Sequence, residues 1–100
     1  MNLSNKKILN LTLSSENYAL IKSGDKKSEL REYDKHWKQK FEYPCGTIKG
    51  YDFILIENET DATKLLVEFK EIKIITEKKG WFGTNKYYKI ELGKTIEEIL

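Results

Sequence analysis

The chain has 100 residues, with 18 basic against 16 acidic side chains and a net charge of only +2. That length allows one domain around one modest core, and 39% hydrophobic residues with twelve aromatics exclude a disordered chain. Cys45 and His36 are the only residues of their types, which excludes an intramolecular disulfide and leaves no metal or other cofactor expected. Seventeen of the basic residues are Lys and one is Arg31, so the solitary arginine asks for an explanation.

Residues 1–7 begin polar and lack the apolar run of a signal peptide. No segment approaches the roughly 18 apolar residues of a membrane helix. The expected location is the cytoplasm, where the Asn-x-Ser/Thr triplets at Asn2, Asn10 and Asn58 carry no glycosylation meaning. Ile8 to Leu13 alternates Leu9, Leu11 and Leu13 with Asn10 and Thr12, the pattern of a half-buried strand. Ser14 and Ser15 offer N-caps and Gly24 a left-handed stop, so Glu16 to Ser23 reads as a short helix. Ser28 to Tyr33 reads as a strand with Glu29, Arg31 and Tyr33 on one face and charge on both.

Asp34 caps a second short helix, along which Tyr33, Trp37 and Phe41 form an aromatic stripe until Pro44 and Gly46 end it. Tyr51 to Glu57 is almost continuously apolar, as in a strand buried on both faces, and residues 58–63 form its turn. From Leu65 to Ile75 a long strand changes parity: Leu65, Val67 and Phe69 are odd, Ile72 and Ile74 even. A bulge or bend near Lys70-Glu71 must separate them. Glu77 to Lys86 reads as a loop and Tyr87 to Leu92 as a last strand, with Tyr88, Ile90 and Leu92 inward. Thr95 and Glu98 form a capping box for a C-terminal helical turn. The expected core includes Tyr18, Ile21, Leu55, Val67 and Ile90. The fold class is α+β: about five strands in a small, partly closed β-barrel, with two or three short helices.

Charge is segregated along the chain, at +3 for residues 22–40, −4 for 50–69 and +4 for 70–89. Trp37 and Trp81 lie within the basic segments. Lysines neutralise phosphates and aromatic rings stack on unpaired bases, a mixture suited to single-stranded nucleic acid; solvated lysines around core tryptophans account for the same composition. The sharper constellation is Lys26, Glu29 and Arg31 at a helix-to-strand turn. Such a group binds a phosphate or a base edge, or sets Lys26 as a base held by Glu29; equally, Glu29 and Arg31 form an ordinary surface ion pair. His36 reads as a solvated side chain and Cys45 as a buried or incidental thiol, while Glu68 either faces the cleft or, as its parity opposite Val67 and Phe69 also fits, is simply exposed.

The succession of apolar strand, short helix ending in Ser-Gly, and Gly24-x-Lys26-x-x-Glu29-x-Arg31 resembles the ASCH domain, a relative of the PUA domain. The likeness runs through Tyr33, Trp37, the 51–58 and 66–72 strands, the Gly80-Trp-Phe-Gly83 loop and residues 88–94. It is closest to short single-domain members of phages and mobile elements. The resemblance implies a PUA-like β-barrel with a cleft beside the first helix that binds RNA, single-stranded nucleic acid or a modified nucleoside. Its ligand-binding residues would be Lys26, Glu29, Arg31, Tyr33, Trp37 and Trp81. Some ASCH-like enzymes are amidohydrolases of N4-acetylcytidine that use a Lys, a Thr and a Glu. Lys26 matches the first, Glu29 occupies the place of the Thr, and the third has no counterpart located here. A binding module is therefore the leading expectation. An amidohydrolase of N4-acylated cytidine with Lys26 and Glu29 as catalytic residues is the alternative, and a phage-type protein that blocks a host complex is a further one.

Overall fold

The computed structural model describes residues 4–78 and 84–100. Strand β1 (Ile8–Leu13) buries Leu9, Leu11 and Leu13, as its alternation requires. Helix α1 (Ser15–Ser23) starts at Ser14, whose side chain accepts from the Asn17 backbone N–H, and stops at Gly24 in the left-handed region at φ 88°. Tyr18 and Ile21, one turn apart, are its buried residues. Strand β2 (Ser28–Glu32) follows, and helix α2 (Lys35–Phe41) is capped by the Asp34 side chain, which accepts from the Trp37 N–H. Strands β3 (Phe53–Asn58), β4 (Lys64–Lys78) and β5 (Thr84–Ile99) complete the chain.

The five strands make one mixed sheet in the order β1-β3-β4-β5-β2, with β1 parallel to β3 and every other pair antiparallel. The fold is thus a small α+β domain. The sheet does not close into a barrel: β1 and β2 are its two edges and share no backbone ladder among the described residues. Leu9, Leu11, Ile54, Ile56, Leu65 and Val67 from one half meet Ile72, Tyr88, Ile90 and Leu92 from the other, and Tyr18, Ile21 and Phe41 of the helices complete the core.

The parity change in β4 is a real irregularity. Its register against β5 shifts between Leu66 and Val67, between Val67 and Phe69, and between Phe69 and Glu71. Gly93 sits opposite, where a Cβ would lie 2.9 Å from the Glu68 Cβ and 3.2 Å from the Glu68 carbonyl oxygen. Glycine is required there for close approach.

Three expectations are corrected, and a fourth, on Cys45, is narrowed to the incidental thiol. Residues 95–99 are not helical: Thr95 pairs with Val67, Glu98 with Leu65 and Ile99 with Lys64. The first residues of β4 offer an unfilled ladder, and β-branched Thr95, Ile96 and Ile99 suit it better than an isolated helical turn whose capping box is its sole support. Glu98 instead accepts from Tyr18 Oη at 3.0 Å and pairs with Lys22 at 2.8 Å. Glu77 and Lys78 pair with Asn85 and Thr84 and Lys86 with Thr76, so these residues belong to the ladder and not to a loop. On β3 only Ile54, Ile56 and Asn58 are fully buried; Leu55 belongs to the other face, which is covered in part. Cys45 is exposed, its thiol 3.3 Å from the Thr47 hydroxyl, which holds its pKa below the usual thiol value. Among the described residues no helix is long and apolar enough to cross a membrane.

Candidate functional site

The turn between α1 and β2 is fixed by backbone bonds from Gly24 to Ile21 and from Lys26 to Leu20, which close the helix end. Lys26 then extends its Nζ to Asn17 Oδ1 at 3.0 Å and to Glu29 Oε1 at 3.1 Å. Asn17 is free to accept because its own amide nitrogen donates to the capping Ser14 hydroxyl at 3.1 Å. Helix cap, lysine and strand carboxylate are therefore one connected chain of polar contacts.

On β2 the usual arrangement is inverted. Glu29 is 7% exposed, whereas its neighbour Leu30 is 43% exposed. Glu29 Oε1 accepts from Lys26 and from the Leu30 N–H at 3.0 Å, and Arg31 Nη1 lies 3.6 Å away. Glu29 Oε2 is buried with no hydrogen-bond partner among the described residues. One carboxylate thus faces two cations and uses only one of its oxygens on them.

Arg31 does more than pair with Glu29. Its Nη1 donates to the Leu30 carbonyl at 3.0 Å and its Nη2 to the Thr12 carbonyl at 3.2 Å. The second bond crosses from β2 to β1, tying together the two sheet edges that no ladder joins. The guanidinium also lies 5.2 Å from the Trp37 ring centroid, and Phe41 stacks on the same ring at 5.2 Å with an interplanar angle of 15°. The planar fork explains why this position is the arginine: a lysine's point charge has no fork with which to reach both carbonyls from beside the indole.

These groups surround a cavity of about 500 Å³. Thr12 and Ser14 bound it on one side, Glu29 and Arg31 on the other, with Asn17, Trp37 and Lys40 completing the wall. The structure brings together Lys26, Glu29, Arg31 and Trp37, and it places the cavity beside the start of α1. Tyr33 lies elsewhere: β2 ends at Glu32, and Tyr33 packs 5.0 Å from Tyr88 and lines a separate cavity with Asp34 and Lys86. Trp81 lies outside the described residues. The surface ion pair is corrected as well, because Glu29 is interior rather than on the sheet surface.

Sequence reasoning missed Asn17, Thr12 and Lys40. Thr12 contributes a backbone carbonyl, which no residue type announces. Asn17, three positions after a Ser cap, carried a faint signal in its capacity to cap and accept at once. Comparison with family models, curated proteins and solved structures finds no match for this chain.

Proposed function

We propose that the chain is a nucleotide-binding module of the ASCH type, whose partly closed, PUA-like arrangement around the β1–β2 seam takes an unpaired or modified base of single-stranded RNA. The observation that carries this reading is Glu29. Leaving a buried acceptor without a partner costs about 1–3 kcal/mol, and Glu29, one of the residues that line the cavity, has such an acceptor in its Oε2. A donor from a ligand removes that cost, and the exocyclic amine of cytosine or adenine is the matching group. Arg31 has five N–H donors and gives its hydrogen bonds to Leu30 and Thr12, which leaves others for a base carbonyl or ring nitrogen. The guanidinium of Arg31 and the indole of Trp37, 5.2 Å apart, both line the cavity, and planar groups of this kind are what splayed bases stack against. A volume of about 500 Å³ falls within the roughly 300–1,000 Å³ of small-molecule sites.

An amidohydrolase of N4-acylated cytidine is less well supported. Lys26 gives two N–H bonds to Asn17 and Glu29, and the Ser14 hydroxyl is taken up by Asn17. Neither group is left as a free base or nucleophile.

Titration of Trp37 fluorescence, in a Trp81→Phe background, with cytidine, adenosine and uridine tests the reading. Cytidine and adenosine should bind more tightly than uridine. Glu29→Gln should weaken them about tenfold or more, the loss of a hydrogen bond to a charged group at about 1.5–3 kcal/mol. A folded protein that responds to no nucleoside at low salt overturns it. Release of acetate from N4-acetylcytidine, abolished in Lys26→Ala, would replace it with the amidohydrolase.

A further inference from the structure

Lys26 separates the Glu29 cavity from a second one, of about 520 Å³, which it lines together with Lys27, Lys70 and Lys94. The recess lies at the irregular β4–β5 ladder: the register shifts between Leu66 and Glu71 displace one strand against the other, and Gly93 lines it where β5 closes on Glu68. Lys27 is held over it by its own backbone, whose carbonyl accepts from the Leu92 N–H at 3.0 Å. Lys70 and Lys94 come from opposite strands at the kink.

Four lysines share this concavity with one carboxylate, that of Glu68. Lys26 is already neutralised by Glu29, but Lys27, Lys70 and Lys94 have no ion-pair partner among the described residues. Three lysines outside the recess are matched: Lys73 with Glu71 and Glu91, Lys89 with Glu91, and Lys22 with Glu98. Unpaired like charges gathered in a recess repel one another, and an anion seated among them converts that repulsion to attraction.

We propose that this second cavity is a phosphate site, and that it takes the phosphodiester of the same strand whose base sits against Glu29, with the strand crossing Lys26. The proposal rests on the base-binding reading for the path of the strand, and on the lysines alone for the anion. Phosphate as a free ion shares the chemistry, so the test contains both sources.

Cytidine, pentacytidylate and inorganic phosphate are compared on the wild type and on Lys70→Gln/Lys94→Gln, both exposed positions. Single-strand binding falls with salt at about 0.7 logarithmic units per phosphate neutralised. The double variant should therefore lower the slope for pentacytidylate by about 1.4 and weaken it at low salt, with cytidine affinity unchanged. Inorganic phosphate at the same concentration should not displace the oligonucleotide. An unchanged slope with cytidine binding intact overturns the phosphate site and leaves the base site standing. Lysine-dependent oligonucleotide binding without any cytidine binding supports the phosphate site and removes the base site. Displacement of pentacytidylate by equimolar inorganic phosphate overturns the strand path and assigns the cavity to the free ion.

Discussion

Replacing Arg31 by Lys keeps the positive charge and removes the fork, so it isolates what the guanidinium does for the fold. The wild-type side chain donates to the Thr12 carbonyl at 3.2 Å and to the Leu30 carbonyl at 3.0 Å while lying 5.2 Å from the Trp37 ring. An ammonium retains at most one of these arrangements. Loss of the cross-edge bond, a hydrogen bond from a charged donor, costs about 1.5–3 kcal/mol. Loss of the indole contact adds about 0.5–1 kcal/mol, and the better hydration of an ammonium at the cavity mouth returns part of the total. A net destabilisation of about 2 kcal/mol is expected, which for a domain of this size lowers Tm by roughly 10 °C. Thermal unfolding followed by circular dichroism measures it, and amide exchange should accelerate first at the β1 and β2 edges. A Tm within about 2 °C of wild type would refute the claim that this side chain holds the two edges together, since that corresponds to only about 0.5 kcal/mol or less.

Tyr88→Phe removes the donor to the buried Glu42 carboxylate and should cost about 1–3 kcal/mol in urea unfolding. Burial first, and then Glu42, hold the Tyr88 phenol well above its ordinary pKa. The folded chain therefore keeps a proton that the unfolded chain releases above about pH 10. Stability should be full below that pH and fall as pH rises, with a shallower fall in Tyr88→Phe. Gly93→Ala must push a Cβ against the Glu68 backbone and Cβ; a loss of about 1–3 kcal/mol is expected, and an unchanged denaturation midpoint would mean that the kink can relax. The Glu98 carboxyl is held below its usual pKa, first by the Lys22 ammonium and then by the Tyr18 hydroxyl. Its contribution is present above about pH 4.5 and lost as pH falls through the lowered value. Glu98→Gln should accordingly narrow the stability difference between pH 6 and pH 3.

Local grammar carried the helices and much of the sheet. Ser14 and Gly24 bracket α1, Asp34 opens α2, and the shift of apolar residues from odd to even positions located the β4 irregularity, because each depends on neighbours a few residues apart. The C-terminal segment failed for the opposite reason. Its Thr95-x-x-Glu98 box is a sound helical start, but a ladder with Lys64–Val67, some thirty residues earlier in the chain, outweighs it. Spacing put Lys26, Glu29 and Arg31 on one turn; it did not show that Glu29 would be interior. A strand whose inward positions are charged and whose Leu30 points outward gives hydrophobic patterning nothing to follow. The contacts that complete the site, Asn17 to Lys26 and Arg31 to the Thr12 carbonyl, join separate elements and involve atoms that any residue could supply.

The inversion on β2 and the openness of the sheet have one physical origin. Had β1 and β2 paired, their edge amides and carbonyls would bond each other and the space between them would be filled. They remain apart, so their facing groups need other partners. Arg31 supplies two donors to carbonyls there, Glu29 supplies an acceptor to the Leu30 N–H, and the cavity occupies the rest of the gap. The seam that costs the sheet its closure is thus the place where polar side chains are held inward with capacity to spare. Arg31 both holds the seam and lines the cavity, so its variants mix folding with binding. Glu29 Oε2 touches no described donor, and Glu29→Gln keeps the side chain's shape. It removes the charge that faces Lys26 and Arg31 but keeps an acceptor for the Leu30 N–H, so it disturbs the seam less than any change at Arg31, and its unfolding midpoint measured beside its affinity divides the two effects.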